Sequence, residues 1–315
     1  MKKMINTVHL EGILYEHNLE KKVSGATSAN PNTEYITGTI SIATNDAMTN
    51  IVPVHYTYVT AVNKNGRPNN TYTALNNILE GTYHNYMSHG IDKAVKLSID
   101  SAIALNEFYS DRNGKEELVS VKRNEGGFIT RIDMVNEDEK LRNTFKTDIV
   151  ITKVTHVEAN EERQTPEKAI IKGDIFNFRN DILPVELSAT NDKAIAYFES
   201  LEASEKNPIF TTVWGHQISE TIVRQIRTES AFGEDEIREV KNTYKDYVVY
   251  GASREEKPWD DESTITAAEM NDAMKKREID LAAMKKRSDE YKASRNNQSV
   301  ASVATPSVSG TTFNF

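Results

Sequence analysis

Segments with the alternating apolar and polar residues of strands, and segments with the spacing of helices, follow one another along this chain. Their order occurs twice. Three segments alternate apolar and polar residues with a period of two, as half-buried strands do, and a segment with helical spacing comes next. In the first unit the predicted strands are Val8–Tyr15, Glu34–Thr44, Ile51–Val62, Ala94–Phe108 and Glu117–Ile132, and the predicted helix is Tyr72–Tyr86. In the second unit the strands are Ile149–Val157, Lys168–Phe178, Ile182–Ala189, Pro208–Ile218 and one near Tyr247–Tyr250, with a helix at Asp192–Ala203.

This order, three strands, a helix and two strands, is the element order of an OB-fold. In that barrel the helix closes the end between the third and fourth strands. The sequence therefore predicts a mainly β chain with two tandem OB-fold barrels, at residues 1–135 and 141–256.

Short stretches of the two units also match each other. Ile36-Thr-Gly38-Thr-Ile40 parallels Ile171-Lys-Gly173-Asp-Ile175 at an offset of 135 residues. Each match is followed by a turn and by an Ile-x-Pro-Val segment, with Pro53 in one unit and Pro184 in the other. A glycine, a turn and a proline in the same order indicate an internal duplication, and a proline inside a strand favours an edge or a bulge.

The character of the chain changes after the second unit. Thr266-Ala-Ala-Glu269 has the form of a capping box and opens a predicted helix at residues 263–295. This helix carries two Met-Lys-Lys-Arg blocks. Two interpretations of these blocks stay open. One is an arm that contacts successive phosphates of a nucleic acid. The other, which we favour, is a solvated or partner-binding face. Residues 296–315 lack any pattern and are predicted to be a disordered tail.

Composition excludes several function classes. The chain has no cysteine, so disulfides, cysteine nucleophiles and cysteine-ligated zinc are excluded. It contains no P-loop, no Gly-x-Gly-x-x-Gly and no Gly-x-Ser-x-Gly motif, and its acidic clusters lie in predicted loops. We therefore expect no enzymatic activity and no cofactor or metal. No run approaches the roughly 18 apolar residues of a membrane span, and we expect a cytoplasmic protein.

The candidate binding residues are aromatic and basic side chains on the strands and loops that OB-folds use for oligonucleotides. Bases stack on the aromatics, and phosphates contact lysine or arginine. In the first unit they are Tyr35, Tyr56, Tyr58, Lys64, Arg67, Phe108, Tyr109, Arg112, Lys115, Lys122 and Arg123, together with Phe128. In the second unit they are Lys172, Phe176, Phe178, Arg179, Trp214, Arg224 and Arg227. The net charge of −9 argues against indiscriminate duplex binding, and it is compatible with a local basic groove.

A core role competes with a binding role at several of these aromatics. Tyr56 and Tyr58 share a strand face with Val52 and Val54, so both interpretations stay open for them. Phe176 and Phe178 lie on the face opposite Ile171 and Ile175, and this placement favours exposure. For Trp214 a core position and a stacking platform are equally compatible with the pattern.

One stretch resembles a known family. Asn6-Thr-Val8-His-Leu10-Glu-Gly12-Ile-Leu14, followed by a polar loop and a strand ending in Ala43-Thr44-Asn45, is similar to the start of bacterial and phage single-stranded DNA-binding proteins. The tail ending in Phe315 is loosely similar to their partner-recruiting tip. The resemblance implies an OB-fold, sequence-tolerant binding of single strands, and recruitment of replication or recombination proteins by the tail.

Three hypotheses about function follow from the sequence. The leading one is non-enzymatic binding of single-stranded DNA in replication or recombination, in a bacterial host cytoplasm if the protein is phage-encoded. The second is a structural or adaptor protein, in which the barrels and the C-terminal helix contact other proteins. The third, an enzyme acting on nucleic acid through acidic-loop metal sites, lacks paired carboxylates at a useful spacing.

Overall fold

The structure is a computed structural model that describes residues 4–112, 115–160, 166–228, 232, 236–253 and 265–301; the side chains of residues 112, 220–228, 236–237, 239–243 and 295–301 lie outside that description. Its first half contains β1 (Asn6–His17), β2 (Glu20–Val23), β3 (Glu34–Ala43), β4 (Ile51–Thr60), α1 (Asn70–Leu79), α2 (Tyr86–His89), β5 (Lys96–Arg112) and β6 (Lys115–Ile132). A 3-10 turn at Glu139–Leu141 leads to β7 (Asn143–Val157), β8 (Lys168–Phe176), β9 (Ile182–Ala189), α3 (Asp192–Ser200), β10 (Ile209–Thr228), β11 (Glu236–Ala252) and α4 (Ala267–Ala301). The predicted mainly β chain with a C-terminal helix is confirmed.

The strand pairings of the first half return to their starting point. β1 pairs antiparallel with β3 and with β5, β3 pairs with β4, and β5 pairs with β6. A parallel contact between β4 and β6 completes the cycle. The apolar residues of each alternating strand lie inside this ring, and Leu75 and Ile78 of α1 are buried against it.

The second half repeats this cycle of pairings. β7 pairs with β8 and β10, β8 pairs with β9, and β10 pairs with β11, all antiparallel. Val248 of β11 and Ser188 of β9 make the parallel contact. Ile195 and Phe198 of α3 are buried, as the corresponding residues of α1 are.

The two halves form one continuous sheet. β1 pairs antiparallel with β7 from Asn6–Thr147 to Leu10–Asn143. Buried polar groups also cross between the halves: the Asn124 amide donates to the side chain of Gln217 at 2.7 Å, and the Tyr247 hydroxyl donates to Asn124 at 2.9 Å. Because buried polar groups are costly when unpaired, these bonds favour one relative placement of the halves.

The short matches between the two units do not occupy equivalent positions. Gly38 pairs with Tyr56 and lies against the backbone of Asn18, whereas Gly173 pairs with Val185 and lies against Val150. The repeated order of strands therefore agrees with the sequence pattern, while the residue-by-residue offset of 135 does not describe the register.

Several element boundaries differ from the predicted ones. The helix predicted at Tyr72–Tyr86 ends at Leu79, because Gly81 adopts a φ of 75° and turns the chain before the short α2. The last predicted strand, near Tyr247–Tyr250, is the end of a long hairpin of β10 and β11. α4 continues to Ala301, past the predicted start of the tail at 296, and residues 302–315 lie outside the described part.

The start of α4 follows the sequence signature. The Thr266 hydroxyl accepts from the Glu269 backbone N–H at 3.2 Å, and the Glu269 carboxylate accepts from the Thr266 N–H at 3.1 Å. Met270 and Ala273 pack on a small apolar cluster outside the rings. We call this the outer cluster, and it consists of Met4, Val150, Phe176, Ile182, Phe210 and Ile265. Across the described residues, no helix is long and apolar enough to span a membrane.

Candidate nucleic-acid interface

A cleft of about 1030 Å³ lies where the two halves meet. The end of β4, the β5–β6 pair and the turn between β8 and β9 form its sides, and the start of β1 forms its floor. Four exposed side chains from the predicted set line this cleft: Tyr58, Phe128, Phe178 and Arg179.

Tyr58 reaches the cleft because the alternation of β4 ends before it. Tyr56 is 1% exposed and belongs to the core, yet both Thr57 and Tyr58 are exposed. The Tyr58 ring lies 4.5 Å from the ring of Tyr35, centroid to centroid, in a tilted arrangement. The neighbouring ring supports Tyr58 from one side and leaves its remaining surface available for stacking.

Phe128 reaches the cleft because of a bulge in β6. The register between β5 and β6 shifts between Asp100 and Ala102, opposite Gly126 and Gly127. Gly127 has a φ of 105°, and a Cβ atom there would lie 1.9 Å from the Asp100 carbonyl oxygen, so the bulge requires glycine. The next side chain, Phe128, is 75% exposed.

The β8–β9 turn presents Phe178 and Arg179. The Asn177 side-chain oxygen accepts from the backbone N–H groups of Arg179, at 2.8 Å, and Asp181, at 3.0 Å. Asn180 occupies the left-handed region with a φ of 62°, as asparagine tolerates in turns. Phe178 is 80% exposed, and the Arg179 guanidinium lies 5.1 Å from the centroid of its ring.

Asn6 joins the two sides at the floor of the cleft. Its amide nitrogen donates to the carbonyl of Ile103 in the first half, at 2.9 Å, and to that of Phe176 in the second half, at 3.1 Å. Its amide oxygen accepts from the Ile103 N–H at 3.0 Å. One side chain therefore fixes the separation of β5 and β8 directly below the exposed aromatics.

The two carboxylates that line the cleft have partners. Asp100 accepts from His9 at 2.8 Å, and Glu125 forms an ion pair with Arg123 at 2.8 Å. Burial alone would lower the pKa of His9, but its hydrogen bonds to Asp100 and Glu11 raise that pKa above the usual value. Arg179 forms no ion pair within the described residues, so its charge is available to an anion.

The prediction needs correction at two aromatic positions. Tyr56 and Phe176 are 1% and 0% exposed, so neither ring can stack on a base. Phe176 belongs to the outer cluster, and α4 and the N-terminal residues cover it. Trp214 is half-buried, and its indole lies over the backbone of Gly251.

Several predicted cationic residues are already paired. Lys122 donates to the carbonyl of Glu186 and lies over the Tyr247 ring, and burial lowers its pKa. Arg123 binds Glu125, and Lys172 forms an ion pair with Glu186 at 2.5 Å. These three side chains are poor candidates for phosphate contacts, since a phosphate would have to displace an existing partner.

The remaining predicted residues lie away from the cleft lining. Lys64 and Arg67 are exposed on the loop before α1, and Phe108 and Lys115 are exposed on the β5–β6 hairpin. Tyr109, on the same hairpin, lies beneath Lys285 of α4. The side chains of Arg112, Arg224 and Arg227 lie outside the described part of the structure.

Sequence reasoning missed Asn6 and the Gly126-Gly127 bulge. Two consecutive glycines inside a predicted strand are a recognisable bulge signal. Asn6 carries no comparable signal, because both of its partners are backbone groups far away in sequence. Within the described ranges, no group of three or more His, Asp or Glu side chains could hold a metal ion.

Comparison with known proteins gives few matches. No curated protein matches by sequence. Among solved structures, the chain is similar to the wild-type single-stranded DNA binding protein from Thermus aquaticus, with 9% identity and a TM-score of 0.43 over 85% of this chain and 99% of that one. A deletion variant of the same protein gives the same identity and TM-score over 84% of this chain and 100% of that one. Residues 4–287 match the YorF family model, and the chain belongs to the YorF family.

Proposed function

We propose that this protein binds single-stranded DNA in the cleft between its two halves, without catalysing a reaction. The observation that carries the proposal is the convergence of Tyr58, Phe128, Phe178 and Arg179 on one cleft. Large exposed aromatics beside a guanidinium that forms no ion pair among the described residues match what a stacked base and its phosphate require. Each stacked base contributes roughly 1–3 kcal/mol.

The same geometry favours a single strand over a duplex. Rings that stand out from a bulge and a tight turn can stack only on bases that have left a helix. Duplex binding without sequence preference depends on many phosphate contacts. Here the net charge is −9, and several basic residues already have partners.

Each half is proposed to be an OB-type barrel, at residues 1–135 and 141–256. Three observations support this: the cyclic pairings in both halves, the parallel contact that completes each cycle, and the position of α1 and α3 between the third and fourth strands of each ring. The resemblance of the first strand to phage and bacterial single-stranded DNA-binding proteins agrees with this assignment.

The biological setting that we propose is DNA replication or recombination in a bacterial cytoplasm, in a phage-infected host if the gene is phage-borne. Single strands are exposed in both processes. Protein partners through the C-terminal helix and tail remain part of this proposal. An adaptor role without DNA is the competing hypothesis, and it predicts that an oligonucleotide leaves the cleft unchanged.

Amide hydrogen exchange with and without an oligo-dT strand tests this proposal. We expect added protection at residues 57–60, 126–128 and 177–181, where the aromatics converge, and none with a blunt duplex of equal length. Protection confined to other surfaces would place the site elsewhere. No protection anywhere, at an oligonucleotide concentration that saturates any binding, would reject the DNA-binding function.

A further inference from the structure

The rear of the β8–β9 turn rests on α4. Asn177 lines the cleft on one side and a smaller cavity of about 170 Å³ on the other, and Ala273, Lys276 and Arg277 of α4 line that second cavity. Lys276 forms an ion pair with Asp181 at the end of the turn. The element that carries Phe178 and Arg179 therefore lies between the proposed DNA site and α4.

Arg277 contacts both halves of the protein at once. Its guanidinium binds the two carboxylate oxygens of Glu107, on β5, at 2.5 and 3.1 Å, and it donates to the Ile182 carbonyl, on β9, at 3.3 Å. The side chains of Arg277 and Glu107 are only 17% and 10% exposed. A bidentate pair that is shielded from water fixes geometry more firmly than an exposed one.

Both ends of this contact adjoin the cleft. Glu107 lies on the strand whose residues Ile103 and Ala104 line it, and Ile182 directly follows the turn that carries Phe178. Arg277 at the rear and Asn6 at the floor thus connect the same two sides. Further along α4, Lys285 and Lys292 pair with Glu116 at 3.0 and 2.6 Å, which holds the helix along the β5–β6 hairpin.

We propose that α4 is a brace that sets the spacing between the two sides of the cleft, with Arg277 as the positioning residue. This inference rests on the proposed function. No residue of α4 lines the cleft in the described structure. The helix therefore acts on affinity through the turn and not by contacting the strand.

The test uses the full chain, an oligo-dT probe and three variants. Arg277→Met breaks the contact but leaves Glu107 buried without a partner, which threatens folding. The double variant Glu107→Gln/Arg277→Met removes both charges and keeps the fold testable. Lys275→Met is the matched control, because Lys275 is an exposed neighbour on the same helix that forms no ion pair among the described residues.

We expect the double variant to bind oligo-dT about fivefold or more weakly, with a melting temperature close to the wild-type value, since residues that act on a site indirectly change it by about 2- to 30-fold. Lys275→Met should bind as the wild type does. The amides of residues 177–182 should also exchange faster in the double variant without DNA. This readout does not depend on binding.

Three results would overturn the brace: wild-type affinity in the double variant, unchanged exchange at residues 177–182, or an equal loss in Lys275→Met. The last result would mean that the loss is not specific to the contact between Arg277 and Glu107, because an exposed residue of the same helix would have the same effect. If the wild-type chain fails to bind oligo-dT, the proposed function fails, and the exchange comparison still decides whether α4 holds the turn.

Discussion

Phe178 allows binding and stability to be separated by one substitution. Its ring is 80% exposed at the tip of the β8–β9 turn, so Phe178→Ala removes almost no buried surface and should change the free energy of unfolding by no more than about 0.5 kcal/mol. The same change removes one stacking platform and the ring beside Arg179. A lost platform of roughly 1–3 kcal/mol corresponds to about 5- to 150-fold weaker binding.

The assay combines fluorescence anisotropy of a labelled oligo-dT with a thermal melt of each variant. Phe178→Trp keeps a flat ring at the position and should retain binding. Met134→Ala is the control for the removal of an exposed apolar side chain, because Met134 is 81% exposed and does not line the cleft. It should change neither affinity nor melting temperature.

Two results would refute this reasoning. Wild-type affinity in Phe178→Ala would show that the exposed ring does not stack on a base. A large drop in its melting temperature would show that the ring packs against the protein in solution, and any loss of affinity would then lack a local explanation.

Three further predictions follow from the residues that shape the cleft. Gly127→Ala should lower the free energy of unfolding by more than about 1 kcal/mol, measured by denaturant titration, because its φ is 105° and the new Cβ would meet the Asp100 carbonyl. Asn6→Ala should cost about 1–3 kcal/mol in the same titration and weaken binding, since it leaves the Ile103 and Phe176 backbone groups without their partner. The pKa of His9 is raised in the folded state, so the stability from its protonated form is fully present below the ordinary pKa of 6.5 and is lost as the pH rises through the higher folded value. Oligonucleotide affinity should therefore fall as the pH rises from below 6.5 through the folded pKa of His9, because Asp100 loses its cationic partner. His9→Asn should remove this dependence of affinity on pH.

The strand order could be predicted from the sequence because each ring buries one face of every strand. Ile36, Ile40 and Ile42 are fully buried, and their spacing of two or four residues shows which face of β3 is inside. The positions of α1 and α3 could be predicted for the same reason, because each helix buries one apolar face. The long pairing of β10 with β11, from Val213–Ala252 to Thr228–Glu236, was not predicted, because only its end near Tyr247–Tyr250 was recognised as a strand.

The site was harder to predict because exposure depends on contacts distant in sequence. Phe176 and Phe178 share a face of the predicted strand, but β8 ends at Phe176, which is buried, and Phe178 is exposed in the turn that follows. The difference arises from Met4, Phe210 and Ile265, which cover Phe176 and stop short of the turn. Tyr56 is likewise buried in the core, whereas Tyr58, two residues further along β4, is exposed. Periodicity reports faces of strands, and it does not report where a neighbouring element ends.

Fluorescence anisotropy of a labelled oligo-dT of roughly 30 nucleotides, compared with a duplex of equal length at several salt concentrations, decides whether the cleft binds single strands. We expect binding to the single strand and not to the duplex. If Arg179, the cationic side chain that lines the cleft, contacts one phosphate, log affinity should fall against log salt with a slope of about −0.7. No binding to the single strand at low salt, or equal binding to both, would show that the cleft is not a site for single-stranded DNA.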